Sequence, residues 1–427
     1  MPEAPPKPGR VAFRHPAFRL YWFARVLAVL AVDAQVTAVG WQVYRITGDA
    51  LSLGLVGLAQ FGPFFLLFLP SGAAADRFRR IQILRATMAV QAACAAAFLA
   101  ITVTGTATFP RIMAILVVLG ATRAFQMPAL QAIVPLLVPP RDFGNAVAWS
   151  TLGFGTARII GPAVAGGLLI VGEGAVYAFT TALLTASLMV VVRMQVTGQV
   201  VSRERPTLRS VLAGFRFIWS RKVILGAISL DLFAVLLGGA TALLPIFAVD
   251  VLGVGEIGFG ALRAAQVLGE LAGAFVLTQR PLRRRAGRSL LVAVAVFGAA
   301  TCVFGLSTVF WLSFAALFTL GAADAFSMFI RSNLVQIVTP DEKRGRVSAV
   351  NGIFIGASNE LGQFESGITA AWWGVVPAVL VGGIGTMVIA VVFAFVFPAL
   401  RRVDSLDPDD LVRRYREAPG RAPAEAE

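Results

Sequence analysis

Long apolar stretches are the feature of this chain that most restricts its fold. A helix rises about 1.5 Å per residue, so about 20 apolar residues cross the roughly 30 Å hydrocarbon core of a bilayer. Twelve segments approach or exceed that length, and we expect each to be a membrane-spanning helix. They lie near residues 20–43, 51–71, 81–104, 112–138, 145–171, 175–194, 223–249, 258–279, 289–308, 311–338, 347–371 and 377–398.

The composition agrees with this interpretation. Hydrophobic residues make up 57% of the chain and charged residues only 14%, whereas soluble domains carry roughly 25% charged residues. A water-soluble fold could not bury so much apolar surface. The predicted fold class is therefore an all-α polytopic membrane protein with twelve transmembrane helices.

The distribution of the cationic residues predicts the orientation. Of 37 Lys and Arg, 30 lie on the side of the N-terminus, in loops or in the end turns of spans, 5 lie deeper within spans, and only Arg45 and Arg111 lie on the opposite side. Because cationic loops are retained inside, both termini are expected in the cytoplasm of a multi-pass inner-membrane protein. The net charge of +14 then reflects topology, and no nucleic-acid partner is expected.

One short cytoplasmic loop concentrates this charge. Its arginines have two interpretations, control of topology or binding of anionic lipid head groups, which makes membrane lipids expected partners. The residues are Arg280, Arg283, Arg284, Arg285 and Arg288.

An internal repeat divides the spans into two six-helix, pseudo-symmetric halves. A shift of 201 positions matches the segment from Leu119 to Met127 with the segment from Leu320 to Met328, and the match continues to Gly166 and Gly367. Parallel repeats of this kind can rock around a central cavity. The predicted regions are a cytoplasmic tail 1–19, a first half 20–194, a linker 195–222, a second half 223–398 and a cytoplasmic tail 399–427; the linker includes a surface helix around 208–219.

The sequence offers no pattern for catalysis, a cofactor or a metal. Cys94 and Cys302 lie inside apolar runs and His15 is the single histidine, so no Cys/His metal site is expected. A phosphate-binding loop needs Gly-Lys, and none of the three lysines follows a glycine. We therefore expect a protein that is not an enzyme and that draws on an ion gradient.

Two glycine-containing motifs indicate moving helices. In the loop expected after the second span, Gly72 permits close helix approach, Asp76 can accept hydrogen bonds from a helix N-terminus, and Arg77 and Arg80 supply counter-charges. In the fifth span, glycines permit backbone contact and a proline removes a hydrogen bond; a flexible gating helix and plain close packing both fit. The span-five residues are Arg158, Gly161, Pro162, Gly166 and Gly167.

These motifs resemble those of the major facilitator superfamily, and the second half is similar to the enterobactin-exporter-like branch. The segments Arg123 to Pro128 and Leu244 to Gly253 also carry the resemblance, which extends from about Phe18 to Phe397. It implies a secondary active exporter, with the Gly72 to Arg80 segment as a cytoplasmic latch. It also implies a monomer whose spans one, four, seven and ten line the cavity.

Ionisable residues inside the spans are the candidate transport site. Each costs about 2.5–3.5 kcal/mol at a helix centre and must be offset by a partner or water. The four cavity spans each hold one of the deeper ionisable residues. Asp33 is the first candidate for proton coupling and Asp231 the second, with Arg123 as a counter-charge. A structural set of salt bridges is the alternative. The cavity or coupling candidates are Asp33, Arg123, Asp231, Glu270 and Asp324.

Other charged residues in the spans have simpler interpretations. Arg25 and Arg331 lie within a few turns of the cytoplasmic edge and are expected to extend to the interface. Arg263 and Glu365 are expected near the outer edge, and Glu360 at depth.

Three functions remain open. The first is proton-coupled efflux of an amphipathic small molecule, such as a siderophore or a drug-like compound, since buried carboxylates can take up protons. The second is an uptake symporter on the same fold. The third is a non-transporting membrane sensor or scaffold.

The predicted topology can be tested by cysteine labelling. In a chain with Cys94 and Cys302 replaced, Ser202→Cys should resist an impermeant maleimide in intact cells and react after permeabilisation, because the linker is cytoplasmic. Arg111→Cys, on the opposite side, is the control that should react in intact cells. Labelling of Ser202→Cys from outside would contradict the model.

Overall fold

The computed structural model describes residues 9–196, 208–280, 282 and 284–416, and every regular element in these ranges is helical. The longer helices are α1 (Pro16–Thr47), α2 (Ala50–Arg77), α3 (Arg80–Val103), α4 (Phe109–Ile133), α5 (Phe143–Leu169), α6 (Glu173–Val192), α7 (Leu208–Ser220), α8 (Lys222–Leu237), α10 (Gly255–Gln279), α11 (Ala286–Leu306), α12 (Phe310–Val338), α13 (Asp341–Trp373) and α14 (Val375–Val396). The short ones are α9 (Leu244–Ile246), α15 (Pro398–Arg401) and α16 (Pro408–Leu411).

Helix lengths confirm the polytopic fold. Within the described ranges, 11 candidate spans are long and apolar enough to cross a membrane. The predicted eleventh span corresponds to α13, which has 33 residues and is more polar than the other spans, since it carries Glu360 and Glu365 besides several amides. With α13 included, the fold has the twelve transmembrane helices expected from the sequence.

The chain forms two compact units. The first contains Met1–Pro206 with Ala248–Ala264, and the second contains Thr207–Phe247 with Ala265–Glu427. The segment Ala248–Ala264, placed by sequence in the second half, thus packs with the first unit. The division into halves at 20–194 and 223–398 stays a prediction.

Each unit has a helix crossing at a glycine of the sequence repeat. In the first unit, a Cβ added to Gly120 of α4 would overlap the carbonyl oxygen of Gln60 in α2. In the second unit, a Cβ on Gly321 of α12, its repeat partner, would overlap the carbonyl oxygen of Gln266 in α10. Small residues allow such backbone approach where lipid provides no hydrophobic force between helices. The repeat therefore preserves two equivalent crossing points.

Two predicted boundaries are wrong. The segment from Gly72 to Arg77 was expected as a loop, but α2 continues through it because three successive alanines favour helix. The predicted seventh span is not one helix, because Gly238 and Gly239 end α8 and a 3-10 turn over Ala240–Leu243 follows. The surface helix predicted near 208–219 is present as α7.

Some expectations fall on residues that the structure does not describe. They are the ends of both tails, the linker residues 197–207 that include Ser202, and Arg283 of the arginine cluster.

The close crossing at Gly120 predicts that replacing this helical glycine by alanine destabilises the protein, which is the opposite of the usual effect. Alanine in place of a helical glycine normally stabilises by about 0.5–1 kcal/mol. Gly120→Ala should instead destabilise by about 1–3 kcal/mol, because its Cβ meets backbone that cannot move aside. The loss of stability is measured as a lower midpoint of thermal unfolding in detergent.

Gly62→Ala on α2 is the matched control, since nothing lies within 4 Å of a Cβ there. It should leave the midpoint unchanged or raised. Equal midpoints for Gly120→Ala and Gly62→Ala would refute the close crossing.

Candidate transport site

The first candidate, Asp33, lies near the middle of the long helix α1. The helix is uninterrupted over 32 residues and ends only where Gly48 adopts a left-handed conformation, with φ 61°. Asp33 is therefore about 26 Å from the first residue of α1 at 1.5 Å per residue. Its side chain is partly exposed. An acid at this depth with access to its surroundings cannot face hydrocarbon without a large cost, so its surface must be hydrated or paired.

Arginines of two helices interact with this carboxylate. Arg263 of α10 interacts electrostatically with both Asp33 and Arg158 of α5. Arg25, two turns before Asp33 on α1, also interacts with Asp33, and its guanidinium lies 5.8 Å from the centre of the Phe154 ring. The position of Arg263 near the outer edge stays a prediction, and its interaction with Asp33 was not expected from the sequence. The described part of the first unit thus brings one acid within range of several cations.

The span-five motif contacts α1 at the same level. A Cβ on Gly161 would lie 2.9 Å from the Cβ of Asp33 and 3.0 Å from the carbonyl oxygen of Leu30. The absence of a side chain at Gly161 therefore lets α5 touch α1 beside the acid. Any displacement of α5 at this level must alter the surroundings of Asp33.

The two later glycines of the span-five motif differ in how closely other helices approach them. A Cβ on Gly166 would lie 2.9 Å from the Cα of Gly260 in α10, and one on Gly260 would lie 2.6 Å from the carbonyl oxygen of Pro162. Gly167 has nothing within 4 Å of an added Cβ, so the expected backbone contact there is wrong. Two of the three predicted glycines are contact points.

Arg123, the predicted counter-charge, is exposed on α4. Its guanidinium lies 5.8 Å from the centre of the Phe64 ring on α2. The pairing of Arg123 with Asp33 stays a prediction. Three residues after Arg123, Gln126 forms reciprocal amide hydrogen bonds of 3.0 and 3.2 Å with Gln91 of α3.

The second unit buries an ion pair between Asp231 of α8 and Arg331 of α12. Their side chains are 8% and 3% exposed. The prediction that Arg331 extends to the interface is wrong, because the acid on the neighbouring helix holds it inside. The Nε of Arg331 is buried without a hydrogen-bond partner among the described residues.

Asp231 and Asp324 border one small cavity in the second unit. Its volume is about 10 Å³, the room of about one water molecule, and Ser327 and Phe297 also line it. The two acids predicted for spans seven and ten are therefore brought together. Glu270 of α10 is partly buried, and its backbone nitrogen would lie 3.1 Å from a Cβ on Gly321. Glu360 accepts a hydrogen bond from Gln363 at 3.3 Å.

The predicted latch spans the junction of α2 and α3. Gly72 and Arg77 belong to α2, Arg80 begins α3, and a bend at Phe78 joins the helices. The Asp76 side chain lies outside the described part of the structure.

Sequence reasoning missed a polar group at the end of α1. Tyr44 donates a hydrogen bond to Asp250, and Arg45 pairs with the buried carboxylate of Glu173 at 2.8 Å. Nearby, the rings of Trp41 and Phe259 stack with centroids 5.4 Å apart. Glu173 lies just before the predicted span 175–194, and an acid close to an apolar segment was the available signal.

Comparisons with known proteins agree with this architecture. Residues 9–419 match the family described as transmembrane secretion effector. The enterobactin exporters EntS of Shigella boydii serotype 18 and Escherichia coli O1:K1 / APEC are each 26% identical over 407 residues, which is 92% of this chain and 95% of theirs.

Two solved structures share the fold. An inward-facing, unoccupied bacterial homologue of the human lysosomal transporter Spinster has a TM-score of 0.65 at 17% identity, covering 95% of this chain and 99% of the other. A mutant of the nucleoside transporter NupG has a TM-score of 0.67 at 16% identity, covering 90% and 99%. The chain thus belongs to the transmembrane secretion effector family of the major facilitator superfamily, and it is a membrane transporter, not an enzyme.

Proposed function

We propose that this transporter exports amphipathic small molecules, of the siderophore or drug-like class, in exchange for protons across the inner membrane. The observation that carries the proposal is Asp33, a partly exposed carboxylate at mid-span with arginines around it and the span-five helix against it. Relatives that are named enterobactin exporters support the direction and the substrate class.

The coupling step follows from the electrostatics of one carboxylate. Arg25 and Arg263 attract the carboxylate of Asp33 because their charges are opposite. Arg25 lies on α1 with Asp33, whereas Arg263 lies on α10, so a shift of α10 relative to α1 would remove the charge of Arg263 and favour uptake of a proton by the acid. Binding and release of a proton are then tied to a conformational change.

The glycine contacts supply the mechanical link. Because Gly161 and the Gly166–Gly260 contact place α5 directly against α1 and α10, these helices can change their separation only together. Gly72, Asp76, Arg77 and Arg80 are proposed to close the cytoplasmic side, as the family resemblance implies. The transporter is proposed to work as a monomer with both termini in the cytoplasm.

Uptake symport remains the second candidate on this fold, and a sensor or scaffold the third. A scaffold would tolerate neutralisation of Asp33, whereas either transporter would not. The direction of substrate movement in oriented vesicles separates export from uptake.

Asp33→Asn should abolish gradient-driven transport while keeping some downhill exchange, because the amide keeps the shape but cannot exchange a proton. The measurement uses proteoliposomes with and without an imposed pH gradient, enterobactin as the test substrate, and an internal pH dye to report proton movement. Arg263→Gln should shift the pH dependence of the same transport.

Asp49→Asn is the matched control for Asp33→Asn. Asp49 caps α2 by accepting hydrogen bonds from Leu51 and Ser52 at 3.3 and 3.1 Å, and asparagine caps helices about equally well. It should transport like wild type. An Asp33→Asn protein that still concentrates substrate against its gradient would move the assignment to Asp231 or Glu270.

The buried pair in the second unit should behave as a structural element. Arg331→Met alone should destabilise by about 3–5 kcal/mol, because Asp231 would be left without its partner. Asp231→Leu combined with Arg331→Met should recover much of that loss and retain gradient-driven transport. Thermal midpoints and the proteoliposome assay measure both effects.

Arg413→Gln is the control for Arg331→Met. It removes the exposed partner of Asp410 and should change the free energy of unfolding by less than about 0.5 kcal/mol. Loss of proton coupling in a stable Asp231→Leu/Arg331→Met protein would instead make Asp231 part of the coupling site.

A further inference from the structure

Helix α7, in the linker between the predicted halves, docks on the first turns of α13. A Cβ on Gly214 would lie 2.8 Å from the carbonyl oxygen of Arg346, so the two backbones are in close contact there. Phe217 and Ile218 are buried on the same side of α7. This face is occupied by the protein itself.

The other face of α7 carries exposed aromatic rings. Phe215 is 41% exposed and Trp219 is 64% exposed. The Phe215 ring stacks on Trp219 with centroids 6.0 Å apart and on Phe354 of α13 with centroids 6.2 Å apart. A row of stacked rings at the surface of a membrane protein is typical of the interface between lipid head groups and hydrocarbon.

Cations lie on α7 and around the buried ring of Phe217 on its other face. Lys343 and Arg221 lie over the Phe217 ring, at 4.9 and 5.8 Å from its centre. Arg216 and Lys222 are exposed on α7 and at the start of α8. Between positions 208 and 230 the sequence has four cations and no acid.

We propose that α7 and the start of α13 form a binding surface for anionic phospholipid, with Phe215 and Trp219 in the head-group region and Arg216, Lys222 and Lys343 against phosphates. Aromatic rings alone would suit any lipid. The cations add the second signal, which selects anionic head groups over zwitterionic ones. Its cations are other residues than the arginine cluster at 280–288 and the charges within the spans.

Lipid bound here would act on the start of α8. Arg221 is the single residue between α7 and α8, and it donates a hydrogen bond to the carbonyl oxygen of Tyr415 at 2.9 Å. An anionic leaflet that holds α7 therefore also fixes the first turn of α8 and the C-terminal segment near Tyr415.

A quenching experiment on the full-length protein tests the surface. In a background lacking Cys94 and Cys302, Trp219→Cys carries a fluorescent probe, and the protein is reconstituted with brominated phosphatidylglycerol or brominated phosphatidylcholine at equal mole fraction. The proposal predicts about twofold stronger quenching by the anionic lipid. Arg216→Gln/Lys343→Gln should bring the two lipids to equal quenching.

Trp311→Cys is the matched control, because Trp311 is 73% exposed at the start of α12 and the segment 308–330 carries no cation. Its probe should be quenched equally by both lipids. Equal quenching at Trp219→Cys would overturn the proposal, as would no quenching by either lipid, which would indicate a solvent-facing helix or a protein partner.

A second measurement does not depend on the labelled cysteine variants and so tests the proposal even if they fail to fold. Mass spectrometry of lipid that purifies with the unlabelled protein should show less phosphatidylglycerol for Arg216→Gln/Lys343→Gln than for wild type. Equal amounts would contradict the proposal.

Discussion

Backbone contact between helices at glycine is the constraint on which this transporter depends. Lipid tails are as apolar as leucine, so spans associate through close packing rather than through the hydrophobic effect. Gly120 and Gly321 provide equivalent crossings in the two units, and Gly161 provides one beside Asp33. The contacts that hold the helices together therefore also set the distances among the charges inside them.

The two mid-span aspartates show how local surroundings separate similar residues. Asp33 is partly exposed and interacts with arginines on more than one helix, whereas Asp231 is buried against Arg331 on a neighbouring helix. A buried pair resists change because removing either partner leaves an uncompensated charge. A partly exposed acid whose partners lie on helices that can move is better suited to exchanging a proton. The structure thus gives a physical reason for preferring Asp33.

The predictions made from the two glycine motifs agree with the structure at some positions and not at others. The span-five pattern was informative at Gly161 and Gly166, where steric fit requires glycine, and uninformative at Gly167, where space is open. The Gly72 segment was read as a loop because its charges suggested an exit from the membrane, yet α2 continues as a helix to Arg77. Charge reports depth in the membrane, but it does not report where a helix ends.

The sequence by itself determined the class of fold, the repeat and the surface helix α7, because apolar length and local propensity act along the chain. Only the tertiary structure decided which charged residues become partners. Arg331 appeared close enough to an edge to reach water, but Asp231 holds it inside, and nothing in the sequence indicated that Arg263 interacts with Asp33. Pairing depends on which faces of separate helices meet, and helix rotation and crossing are set by packing between residues far apart in sequence.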